Sequence, residues 1–146
     1  MRLCVAALVV SGCGSKKLNR DEAIERYSEE LREAVSTNVH DEGRKTQMLR
    51  VVDQLKALHL RFSQETTEFV ASYRKLNADY DATRPAFDGL FSDYSAKRIE
   101  ARSDALELHF QLASLATASE WETIGKAETE LYEKVNVARP APENAK

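Results

Sequence analysis

This chain of 146 residues holds only two cysteines, five glycines and three prolines. Pro140 and Pro142 fall in the last seven residues, which leaves Pro85 as the single interior proline. A chain so poor in turn-formers, and rich in Ala, Glu, Leu, Lys and Arg, favours long helices over strands. No Gly-x-Ser-x-Gly, phosphate-loop or glycine-rich dinucleotide pattern occurs, so the motifs of hydrolases, nucleotide-binding proteins and dinucleotide enzymes are missing. The histidines are His40, His59 and His109, with no His-x-x-x-His or Glu-x-x-His spacing. A zinc or di-iron centre is therefore not expected, and no cofactor is implied. The net charge is -3 and no basic stripe with interleaved aromatics is visible, which argues against nucleic acid as a partner. Long apolar runs are also lacking. Leu3 to Val10 is far short of the ~20 residues that cross a bilayer as a helix. What is present suits one helical domain: 42% apolar residues supply a core and 31% charged residues a solvated surface.

One cysteine, Cys4, lies within that short apolar run, and the other, Cys13, follows it. Met1-Arg2 gives a positive start, Leu3–Val10 an apolar centre, and Ser11-Gly12 a pair of small residues. This is the layout of a secretory signal. The run Val10-Ser11-Gly12-Cys13 resembles the lipobox of bacterial lipoproteins: an aliphatic residue, two small residues, then cysteine. The resemblance implies cleavage before Cys13, a diacylglycerol on its sulfur and acylation of the new amine. Residues 1–12 are then the signal peptide, and 13–18 a lipidated tether. Two or three acyl chains hold a protein stably where one does so only marginally. In that family an aspartate after the cysteine retains the protein at the inner membrane. Gly14 stands there instead, which points to the outer membrane, facing the periplasm. Loss of Cys4 with the signal and acylation of Cys13 leave no free thiol. The body keeps a mildly acidic charge and gains little from anionic headgroups.

Four helices are expected between residues 19 and 137. Asn19 with Glu22 forms a capping box for the first, which runs to about Thr37 with Ile24, Tyr27, Leu31 and Val35 on one face. Asp41 caps the second, Glu42 to about Ala82. Its seam steps by fours and threes through Met48, Val52, Leu55, His59, Phe62, Thr66, Phe69, Tyr73, Leu76 and Tyr80. "DATRP" breaks it, with Thr83 as cap and Pro85 in the first turn of the third helix, which continues to Leu115. A sharp reversal is read there, a kink being the alternative. Ser119 caps the fourth helix, Glu120 to Val135. Residues 138–146 read as a disordered tail. The expected fold is all-α: a long antiparallel, coiled-coil-like helical hairpin, with two shorter helices completing a bundle at one end, the end that carries the tether.

Seven of the eleven aromatics fall between Phe62 and Tyr94. Two helices alone cannot fully cover them. Tyr73, Tyr80, Phe87, Phe91 and Tyr94 thus offer a contact surface for a partner or for self-association, or else a broad seam between the pair. No catalytic site is expected. His40 with Asp41 and Glu42 reads as a capped turn. The carboxylate pairs Glu29-Glu30, Asp79-Asp81 and Glu128-Glu130 read as solvated helical faces. The stretch Leu112–Glu128, "LASLATASEWETIGKAE", resembles the Leu-Thr-x-x-Gln segment of small helical periplasmic chaperones and metal-stress sensors, with Glu120-Trp121 where that family often has Glu-Gln. The reading is a non-enzymatic, lipid-anchored envelope protein that binds or spaces. The alternative is a stress-response chaperone or metal sensor.

Overall fold

The computed structural model describes residues 18–137. Four helices follow one another: α1 (Arg20–Asn38), α2 (Glu42–Ala78), α3 (Arg84–Leu115) and α4 (Ala118–Val137). Helix makes up 90% of the described residues, no strand occurs among them, and the helices pack against each other. The expected signal peptide, Cys13 and the expected tail 138–146 lie outside the described residues.

Local chemistry sets the helix ends. The Glu22 N–H donates to Asn19 Oδ1 at 2.9 Å, and the Asn19 N–H donates to Glu22 Oε2 at 3.0 Å. This reciprocal box satisfies two donors that the first turn of α1 leaves free. Asp41 Oδ1 accepts the Arg44 N–H at 2.7 Å and opens α2 in the same way. α2 ends at Ala78, four residues short of the expected limit. Asp79 stops it: its carboxylate accepts the Asp81 N–H at 3.0 Å, and its carbonyl accepts the Ala82 N–H at 3.2 Å. A side chain that bonds its own backbone two residues on stabilises a turn over a helix. Thr83 then holds an extended backbone and Pro85 enters the first turn of α3, although the Thr83 hydroxyl makes no cap bond.

The cap of α4 differs from expectation. Thr117, not Ser119, precedes the helix: its N–H donates to Glu120 Oε2 at 2.7 Å, and its carbonyl accepts the Trp121 N–H at 2.9 Å. Both residues have a glutamate three positions on. Arg44 decides between them, because its guanidinium fixes Glu120 with two hydrogen bonds at 2.7 and 3.0 Å. α4 therefore starts two residues earlier than the sequence reading has it.

α1 packs on α2 and α4, and α2 packs on α3. Ser63 Oγ donates to Asp21 at 2.6 Å, Lys56 pairs with Glu25, and Arg32 pairs with Asp53. The partner numbers fall on one helix as they rise on the other, so α1 and α2 are antiparallel. They also set the start of α1 beside Ser63, partway along α2. The chain thus enters α1 at the level where the four-helix body ends, away from the end that Arg44 closes.

The core belongs to that body. Ile24, Leu31 and Val35 of α1 meet Met48, Val52 and Leu55 of α2, Leu112 of α3, and Ile124 and Leu131 of α4. Burying each such side chain contributes about 1.5–3 kcal/mol. No residue from 64 to 100 is buried.

Candidate functional site

The aromatic stretch lies in the part without buried residues. Phe69 of α2 stacks on Tyr94 of α3, with ring centroids 4.0 Å apart and planes 11° from parallel. Phe91 meets the edge of Phe69 at 5.4 Å. Tyr73 meets Phe91 at 6.0 Å and Phe87 at 6.2 Å, both edge-on. Phe62 stacks beneath Tyr94 at 6.1 Å, and the Thr66 hydroxyl lies 3.2 Å from the Tyr94 hydroxyl. These are favoured aromatic geometries, each worth about 0.5–1.5 kcal/mol beyond the area it covers. The result is a ladder of six rings between α2 and α3.

Four of the five residues singled out from sequence, Tyr73, Phe87, Phe91 and Tyr94, join this ladder. Phe91 and Tyr73 keep more than a third of their surface exposed, and Phe87 and Tyr94 are half-buried. Tyr80 is placed apart. The helix stops before it, and its ring stands fully exposed on the turn. The seam expected to run through Tyr80 thus ends at Leu76, for the reason that Asp79 ends the helix.

A second constellation sits in the four-helix body. His109 of α3 holds Glu128 of α4, with Nδ1 2.8 Å from Oε2. Glu128 is 2% exposed, which corrects its reading as a solvated carboxylate. Position 128 falls four after Ile124 and three before Leu131, both fully buried, so it shares their face. Burial raises its pKa, and the hydrogen bond and charge of His109 oppose that rise. Its other oxygen, Oε1, is buried without a hydrogen-bond partner. One turn along α4, Tyr132 takes His59 edge-on at 5.3 Å and donates to the Ala105 carbonyl at 3.4 Å. Burial, then the Glu128 charge, pushes the Tyr132 hydroxyl up to about 12. Burial pushes His59 down to about 4, so its ring is neutral at physiological pH.

A histidine held by a carboxylate is two-thirds of a hydrolytic triad. The hydroxyl on the same patch, Thr129, instead donates to the Gly125 carbonyl at 2.8 Å. Trp121 closes the other side, edge-on to His109 at 5.6 Å. The pair reads as a buried polar tie between α3 and α4. Among the described residues, no group of three or more His, Cys, Asp or Glu could hold a metal ion. His40 is exposed beside the Asp41 cap.

The closed end of the body is joined by Arg44. Besides Glu120, it donates to the Leu115 carbonyl at 2.9 Å, so one side chain joins α2, the end of α3 and the start of α4. The hydrogen bond from Arg44 is the main reason that Glu120 is held down at about 2.

Sequence reasoning missed one surface. Ile99, Leu106 and Phe110 of α3 are large, apolar and exposed. Their spacing of seven and four is a readable signal, overlooked because the inner seam of the same helix is stronger. Among the described helices none is long and apolar enough to cross a membrane. Compared with known proteins, the chain matches no family, no curated protein and no solved structure.

Proposed function

We propose that this chain is a lipid-anchored protein of the bacterial cell envelope. It acts without catalysis, as a binding or spacer module built on a long helical hairpin. Attachment is through Cys13 in Val10-Ser11-Gly12-Cys13, and the contact surface is the aromatic stretch of α2 and α3.

The observation that carries the reading is the lipobox followed within a few residues by a capped helix. The position of that helix bears on how the anchor would orient the molecule. From Cys13 to Asn19 the chain reaches about 20 Å at most. α1 runs away from that point for about 28 Å to the closed end of the body. In the opposite direction α2 continues past Ser63 for about 22 Å, to Ala78. A Cys13 anchor is therefore too short to seat the closed end on the bilayer. It lets the rod lie along the surface, so the hairpin expected to project away from the membrane would run beside it.

The alternative, a stress-response chaperone or metal sensor, rests on the resemblance of residues 112–128. Here that segment closes α3 and opens α4 through Thr117 and Glu120. Palmitate labelling in the native host tests the anchor. The full chain should take up label and Cys13→Ala should not. Equal labelling of the two overturns the reading.

A further inference from the structure

α3 presents apolar side chains on two opposite faces. The inner face, with Ala101, Leu108 and Leu112, packs into the molecule. The outer face carries Ile99, Leu106 and Phe110, exposed by 71%, 51% and 66%. At 100° per residue these three lie on one line, on the far side of the helix from Leu108 and Leu112. Ala96, Ser103 and Ala113 complete the heptad row, so no charge stands in it. A bundle helix whose outer face meets water carries charge there. α1 does so with Glu25, Glu29 and Glu33, all exposed. The outer face of α3 has instead the pattern of a coiled-coil seam.

The charges beside the row select its occupant. Arg102 flanks it on one side and Glu107 on the other, five positions later, and both are exposed. In a parallel helix pair, a residue on the first flank faces the residue five later on the opposite flank of the other helix. Arg102 would thus face Glu107 of a second copy, and twofold symmetry makes the contact twice. Antiparallel packing would set the Arg102 flank, which also bears Arg98, against its own kind.

We propose that the outer face of α3, from Ala96 to Phe110 and Ala113, is the self-association surface of this chain, on which a second copy packs its own α3 in parallel register. Toward the turn the same register sets Asp88 against Asp93 of the second copy, so the contact stops short of the aromatic end. The row is about 26 Å long. A contact confined to one helical stripe is small, and the dimer is accordingly weak and concentration-dependent. Parallel packing also points both Asn19 ends in one direction, as attachment to one bilayer requires. The surface itself does not depend on the lipid.

Sedimentation equilibrium of the full chain in density-matched detergent, up to about 1 mM, tests this. A monomer–dimer equilibrium is expected, and it should persist in Cys13→Ala. Phe110→Glu and Leu106→Glu should abolish it while leaving helicity and melting unchanged, because both side chains point outward. Arg102→Glu and Glu107→Arg should each weaken it about two- to five-fold. The reciprocal double swap R102E/E107R should restore it. A wild-type chain that stays monomeric, or a dimer indifferent to Phe110→Glu, overturns the surface. A dimer that needs Phe110 but is not restored by the double swap overturns the parallel register.

Discussion

Two stretches of α2 carry one periodicity and meet different fates. Met48, Val52 and Leu55 are almost wholly buried; four turns on, Phe69 and Tyr73 continue the same steps without being buried. The first stretch has α1 and α3 as neighbours, with α4 closing the body. Beyond Ser63, past the level where α1 starts, α3 remains as the packing partner. A heptad row records that a helix has a partner, but burial depends on how many partners surround it. The body excludes water with aliphatic side chains. The extension uses large rings, which gain from stacking even when one edge stays wet.

The largest expected effect separates the two directly. Leu55→Ala or Leu131→Ala should cost about 2–5 kcal/mol in urea denaturation, as for a fully buried leucine. Phe91→Ala removes a half-exposed ring and should cost about 1 kcal/mol. Equal losses would break the comparison.

Acid should act on the body next. His59 is depressed from 6.5 to about 4 by burial, so the unfolded chain takes its proton first as pH falls. The stability that neutral His59 preserves is full above 6.5 and declines toward 4, by about 3 kcal/mol in all. Glu128 works in the opposite sense: its raised pKa means stability is lost as pH rises above its ordinary value of 4.5. Replacing the ring, as in His59→Leu, should flatten the acid limb between 6.5 and 4 in denaturant titrations followed by Trp121 fluorescence. An unchanged limb would show that the ring is not the acid-sensitive group.

The smallest effect lies in the extension. A Cβ at Gly89 would meet nothing within 4 Å. Gly89→Ala should stabilise α3 by about 0.5–1 kcal/mol, seen as slower amide exchange across residues 84–95. No gain there would mean that this helix is already limited by something other than backbone entropy.

Much of the frame was legible because it is local. Asn19 with Glu22, Asp41 with the Arg44 amide, and Pro85 in the first turn of α3 each act within a few residues, and the sequence names them. The α4 cap was not, because Arg44 chooses between Thr117 and Ser119 from 73 or more positions away. Glu128 was half-legible: its spacing from Ile124 and Leu131 places it inside, but its charge reads as surface until His109 is seen beside it. The end of α2 turned on one side chain, Asp79, whose preference for its own backbone outweighs a heptad pattern that runs on to Tyr80. The outer row of α3 was present in the spacing and hidden by a stronger row behind it.

Native-state hydrogen exchange tests most directly the division of α2 and α3 into a cored body and an uncored aromatic extension. Amides of residues 48–58 should exchange only through global unfolding, while those of residues 66–78 and 84–97 should exchange well below that limit through local opening. Equal protection along the whole of α2 and α3 would contradict the division.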